Sequence, residues 1–112
     1  MEFRIEDVGE RSAVVAPQGR LTLTSAGEFK ALVEHTVSRG RPLVVVDLDG
    51  TTFMDSSGLG ALVSGLRATR TASGDLRIAR PNEQVVTVLT LTTMDRVLRP
   101  YATVEDALDD GR

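Results

Sequence analysis

The stretch Leu43-Val44-Val45-Val46-Asp47-Leu48-Asp49-Gly50-Thr51-Thr52-Phe53-Met54-Asp55-Ser56-Ser57-Gly58-Leu59-Gly60 decides how this chain is read. Leu43 to Leu48 is an apolar run broken only by Asp47, the pattern of a strand covered on both faces of a sheet. Beyond it, Leu59, Leu62, Val63 and Leu66 recur at helical spacing and give a helix one apolar face. Thr51 to Gly60 therefore reads as a strand-to-helix turn carrying two hydroxyls at the helix N-terminus. The first N–H groups of a helix lack intrahelical partners and carry partial positive charge, so Asp55, Ser56 or Ser57 can cap it, and the same geometry accepts a phosphate. Phe53 is read as core, while Met54 fits core or an exposed docking patch.

Working outward, Phe3, Ile5 and Val8 followed by Ala13 to Ala16 predict a hairpin turning at Gly9-Glu10 and ending at Pro17 and Gly19. Ser25 with Glu28 has capping-box spacing, and Phe29, Leu32, Val33, Thr36 and Val37 share a helical face before Gly40 and Pro42. After the hydroxyl-bearing helix, closed by Ser73-Gly74, Leu76 to Ala79 alternates as a strand. Glu83 to Leu91 is rich in β-branched residues, yet Asn82 is a good cap, Val85, Val88 and Leu89 share a face, and parallel strands need a crossover. It is read as a helix. Arg96-Val97-Leu98 is the expected last strand, and Thr103 with Asp106 caps a final helix, Val104 to Leu108, before a polar tail from Asp109 to Arg112. The order β-β-α-β-α-β-α-β-α describes an α/β sheet with helices packed against it. At 112 residues, with no linker or repeat, one domain spanning 1–112 is expected.

Composition narrows the function. A hydrophobic fraction of 41% with 26% charged residues is that of a soluble globular chain. The net charge of −3, scattered arginines and a single lysine, Lys30, argue against a nucleic-acid partner. Without cysteine there is no thiolate metal site and no cysteine nucleophile. No apolar stretch approaches the roughly 20 residues that cross a bilayer, and Met1 to Ile5 lacks the form of a signal peptide, so a soluble, unprocessed, cytoplasmic protein without a membrane partner is expected.

Catalytic readings fail on missing partners. Gly58 and Gly60 lack the third glycine of a dinucleotide fingerprint, since Val63 stands there, and no Gly-Lys-Ser/Thr phosphate loop occurs. Both glycines instead fit a close approach of helix to sheet. A serine hydrolase needs a base, but the only histidine, His35, falls off the apolar face of its helix and is expected in water. Asp47, Asp49 and Asp55 suggest a metal site or a receiver-type phosphoaspartate. Asp47 and Asp49 instead fit a structural carboxylate and an Asp-Gly turn, and no lysine follows Lys30. No catalytic residue, metal or cofactor is expected. Leu21 and Leu23, alternating with Arg20, Thr22 and Thr24, could lie across a sheet end near Ser56, though burial is the commoner fate of such leucines.

Phe53-Met54-Asp55-Ser56-Ser57-Gly58-Leu59-Gly60 resembles the signature of bacterial anti-sigma factor antagonists, the single-domain members of the STAS family. The opening hairpin, Gly19 before the first helix, the strand Leu43 to Leu48 and the later elements extend the resemblance over nearly the whole chain. It implies a STAS fold with a mixed, mostly parallel central sheet, and Ser56 as phosphoacceptor. It also implies a partner-switching cycle: the unmodified protein binds an anti-sigma factor with serine-kinase activity, freeing the sigma factor; the kinase phosphorylates the serine and the complex dissociates; a PP2C-like phosphatase resets the cycle. Arg20, Thr22, Leu23, Thr24, Asp55, Ser56, Ser57, Gly58, Leu59 and Gly60 are the partner-binding residues so implied, with Ser57 helping to cap the helix and Asp55 orienting the Ser56 hydroxyl. One departure stands out. Where the family commonly has Gly-Glu-Leu-Asp, this chain has Gly19-Arg20-Leu21-Thr22, replacing two acids. That gives weight to an alternative, a phosphorylation-independent scaffold or ligand-sensing module on the same fold.

Overall fold

A computed structural model describes residues 1–110; Gly111 and Arg112, the end of the expected polar tail, lie outside the described residues. The chain opens as expected with antiparallel strands β1 (Glu2–Val8) and β2 (Ser12–Leu21), in register from Glu2↔Gln18 to Val8↔Ser12 around Gly9, whose φ is +60. The second strand does not stop at Pro17 and Gly19. It continues by changing partner: Ser12–Val15 pairs in parallel with β3 (Leu43–Asp47), and Gly19–Leu21 pairs in parallel with β4 (Thr51–Met54). Pro17 falls between the two parallel ladders, so its missing N–H breaks neither. Gly19, at φ +107, sits at the register shift where the second ladder begins.

The strand β4 corrects the sequence reading, which placed Thr51 to Met54 in a turn. It is short and holds its second edge with side chains rather than with another strand. The Gln84 side-chain amide accepts from the Met54 N–H at 2.9 Å and donates to the Met54 carbonyl at 2.8 Å, and Asn82 Nδ2 donates to the carbonyls of Thr51 and Thr52. Both amides come from the start of α3 (Glu83–Leu91), the helix expected despite its β-branched residues; Asn82 Oδ1 caps it by accepting from the Val85 N–H.

The remaining strands, β5 (Asp75–Ala79) and β6 (Pro100–Tyr101), complete the order β1-β2-β3-β5-β6, with β4 beside β2. All pairings except β1 with β2 are parallel. The last strand is not Arg96 to Leu98. Thr93 adopts φ +57, Met94–Arg96 form a 3₁₀ turn, and the Met94 carbonyl accepts from both Val97 and Leu98, which curls the chain and buries Leu98. The strand starts only at Pro100.

Helices α1 (Leu23–Ser38) and α2 (Ser56–Thr71) pack on one face of the sheet, against Val15, Val44, Val46, Leu76 and Ile78 among others. α1 is capped three residues before the expected Ser25: Thr22 is the cap, and buried Ser25 accepts from the Thr22 N–H at 3.0 Å while donating to the Arg20 carbonyl at 3.0 Å. On the opposite face α4 (Val104–Asp109), capped by Thr103 as expected, covers Val14, Val45 and Ala79 through Ala107. The strand Leu43–Asp47 is thus buried on both faces, as its apolar run from Leu43 to Val46 requires. Among the described residues no helix is long and apolar enough to cross a membrane.

Asn82→Ala removes one helix cap and two donors to the outer edge of β4, and should lower stability by about 2 kcal/mol in urea unfolding. Asn82→Asp keeps the acceptor for Val85 but has no amide donors, so it should recover only part of the loss.

Candidate functional site

Adjacent parallel strands that each lead straight into a helix must deliver both helix N-termini to the same place. β2 and β4 end side by side, Leu21 opposite Met54, and α1 and α2 start within two residues of those ends. Asp55 binds the two together. Its Oδ1 accepts from the Gly58 N–H at 2.9 Å, capping α2, and its Oδ2 accepts from the Leu23 N–H at 3.3 Å, in the first turn of α1. One carboxylate therefore lies against the positive ends of two helix dipoles, where an anion is favoured. Its own N–H donates to the Leu21 carbonyl, closing the junction from the backbone side.

Gly58 makes this proximity possible. A Cβ there would lie 2.1 Å from the Leu21 carbonyl oxygen and 2.8 Å from Met54 Cγ. Gly60, expected to serve the same end, does not: a Cβ there meets nothing within 4 Å, and the residue is exposed. Gly58→Ala should therefore cost about 1–3 kcal/mol as backbone and Met54 are forced apart. Gly60→Ala should leave stability unchanged or raise it by up to about 1 kcal/mol through helix propensity. Thermal unfolding of the two variants side by side tests the contrast.

Around this junction the predicted residues separate into three groups. Ser56, Leu23, Thr24, Arg20 and Gly60 are exposed, Thr22, Asp55 and Ser57 are half-buried, and Gly58 and Leu59 are buried and serve the fold rather than the surface. Leu23, for which burial was the commoner expectation, is 75% exposed, while its strand neighbour Leu21 is fully buried. Capping falls to Asp55 alone, so Ser57 does not have the role expected of it and Ser56 keeps a free face. Phe53 departs from its expected place in the core, whereas Met54, which fitted either core or an exposed patch, resolves to core. Met54 is fully buried, and Phe53 is half-buried with the Arg20 guanidinium 4.5 Å from its ring centroid, a cation–π contact that follows from the Arg20↔Phe53 register. Gln84, which holds β4 and so the approach to Asp55, was not legible: it sits in a helix with no pattern pointing across the molecule.

The alternative chemistries find no support in the geometry. His35 is exposed on α1, twelve residues from Leu23, which places it about 18 Å along the helix axis from the Asp55 junction. Asp47 and Asp49 do not converge with Asp55. Asp47 accepts from Arg80 Nε and Nη2 at 3.1 and 2.7 Å and from the Asp49 N–H at 3.1 Å, and this hydrogen bonding raises the Arg80 pKa above its usual value. Among the described residues no group of acidic or histidine side chains could hold a metal ion.

The STAS domain family model matches residues 4–107. The chain belongs to the STAS domain family. An anti-sigma F factor antagonist from Lysinibacillus sphaericus is 25% identical over 113 residues, covering 100% of this chain and 96% of that one. The crystal structure of a "putative anti-sigma factor antagonist" from Thermotoga maritima superposes with a TM-score of 0.88 at 28% identity, covering 96% of this chain and 92% of that one. The fold is also that of the anti-sigma factor antagonist SpoIIAA, with TM-scores of 0.83 for its unphosphorylated form and 0.75 for its phosphorylated form, at 22% and 21% identity. These cover 96% and 99% of this chain and 94% and 100% of those chains.

Proposed function

We propose that this protein is an anti-sigma factor antagonist, a regulatory binding protein and not an enzyme, whose partner is chosen by the state of Ser56. In the cytoplasm the unmodified form binds an anti-sigma factor with serine-kinase activity and releases the sigma factor. Phosphorylation of Ser56 by that kinase ends binding, and a PP2C-like phosphatase restores it. The names carried by similar proteins support the role, and one observation supports the residue: Ser56 stands exposed at the point where two helix N-termini meet, with its neighbour Asp55 already committed to both.

Modification there adds about 1.5 to 2 negative charges and three acceptor oxygens. The helix N-terminus tolerates this in the free protein, so the fold need not change. In a complex the phosphate must be desolvated against a surface that met a neutral hydroxyl, with the Asp55 charge alongside. Penalties of several kcal/mol are typical for such juxtapositions, and each 1.4 kcal/mol is about tenfold in affinity. A switch of about a hundredfold follows.

Leu23, a large exposed apolar side chain beside the switch, supplies the natural anchor for the partner, with Arg20, Thr22, Thr24, Ser57 and Gly60 around it. Mass spectrometry after incubation with ATP and the kinase recovered by pull-down should find phosphate on Ser56. Ser56→Asp should weaken anti-sigma factor binding about a hundredfold and Ser56→Ala should bind like the parent. Leu23→Ser should weaken binding about tenfold with an unchanged Tm. Equal binding by parent, Ser56→Ala and Ser56→Asp would instead favour the phosphorylation-independent scaffold.

A further inference from the structure

The first strand ends the sheet order, and among the described residues no strand pairs with its outer edge. All seven of its residues, Glu2–Val8, lie in one unbroken antiparallel register with β2. An edge of this length presents a row of backbone donors and acceptors, which proteins commonly protect with charge. Here the protection has a pattern. Along the strand, Glu2, Arg4 and Glu6 alternate in sign on one face, the face that also carries Val14 and Ala16, and Ile5, on the other face, is 45% exposed.

We propose that β1 pairs antiparallel with β1 of a second copy of this chain, about a two-fold axis through Ile5. A two-fold axis normal to the sheet keeps every residue on its own face, so only residues of the same parity can stand opposite one another. A register centred on Arg4 sets Arg4 against Arg4 and Glu2 against Glu6. One centred on Glu6 sets Glu6 against itself. Each opposes like charges, which destabilises a pair directly across the strands.

Centred on Ile5, the register sets Arg4 against Glu6 of the second copy, and by symmetry does so twice, while the two Ile5 side chains meet on the axis. Ile5 is also the midpoint of Glu2–Val8, so the charge-matched register overlaps the whole strand. A register centred on Phe3 opposes Glu2 to Arg4 but overlaps only the strand residues Glu2 to Arg4. On the face that carries α1 and α2 the Ile5-centred register brings Phe3 to Asp7 of the second copy. That carboxylate is already held by Arg39 at 3.0 Å and Arg41 at 3.3 Å of its own chain, so it arrives as an ion pair rather than a bare charge. Among the described residues Arg4 is engaged by Glu2 alone, at 3.8 Å on the surface, and Glu6 forms no ion pair.

Sedimentation equilibrium of the full chain, from micromolar to millimolar concentration, tests this with a charge swap. The parent should show a monomer–dimer equilibrium. Arg4→Glu, which sets Glu against Glu, and Glu6→Arg, which sets Arg against Arg, should each weaken the dimer by about tenfold or more. The double variant Arg4→Glu/Glu6→Arg restores opposite pairs and should return to within about threefold of the parent. These side chains are exposed, and circular dichroism should show all three variants folded. Amide hydrogen exchange on the parent gives a check free of substitutions, with β1 slowing as concentration rises. A parent that stays monomeric at millimolar concentration overturns the proposal. So does a dimer indifferent to the single variants, a double variant that fails to recover, or concentration-dependent protection that spares β1.

Discussion

The junction of α1 and α2 depends on a single carboxylate held between two helix ends. Two neighbouring parallel strands each run directly into a helix, so two sets of unpaired N–H groups and two positive dipole ends are brought together at one edge of the molecule. Asp55 answers both, capping α2 through Gly58 and reaching the Leu23 N–H of α1. The arrangement tolerates little variation in sequence: Gly58 has no room for a side chain against the Leu21 carbonyl, and β4 keeps its place because Asn82 and Gln84 satisfy the edge that no strand among the described residues covers. The rigid junction then frees its neighbours. With the cap supplied by Asp55, the adjacent serine is under no structural obligation.

That division of labour is what the proposed regulation relies on. A modifiable hydroxyl that also capped its helix would tie modification to folding. Here the capping residue and the proposed modified residue are adjacent but separate, so charge can be added at the surface while the core stays as it is. The consequence falls on binding, where a change of one or two charges at a desolvated interface outweighs most single contacts.

The order of elements was legible wherever local signals agreed. The opening hairpin, the buried strand at Leu43, the Asp55 turn and the short helix at Glu83 announce themselves through periodicity, punctuation and capping residues. The helix at Glu83 is instructive, because topology and a cap outweighed the β propensity of Val85, Val86 and Val88. What escaped was long-range. Nothing local says that β2 exchanges β3 for β4 at Gly19, so Thr51 to Met54 resembled a turn until its partner was known. The Phe53 and Met54 burials depend on the same pairing, since the register decides which of two adjacent apolar residues meets Arg20 and which enters the core. The last strand slipped from Arg96 to Pro100 because Thr93 takes a left-handed conformation that a β-branched residue rarely adopts, and no sequence rule anticipates it.

The two replaced acids acquire meaning from this geometry. Arg20 is directed by the Phe53 ring, and the position at Thr22 holds a neutral cap where the resemblance leads one to expect a carboxylate. Before modification the formal charges of Arg20 and Asp55 cancel, leaving a junction whose most prominent exposed feature is Leu23. On the proposed reading, phosphorylation takes the same surface from near neutrality to about −1.5 to −2, whereas a junction bearing the two acids would start anionic and become more so. The relative change is therefore greatest here. A partner selected to bury an apolar, electrically neutral patch would need no cationic residue opposite Thr22, and it would discriminate against the phosphate through desolvation more than through the loss of any particular ion pair.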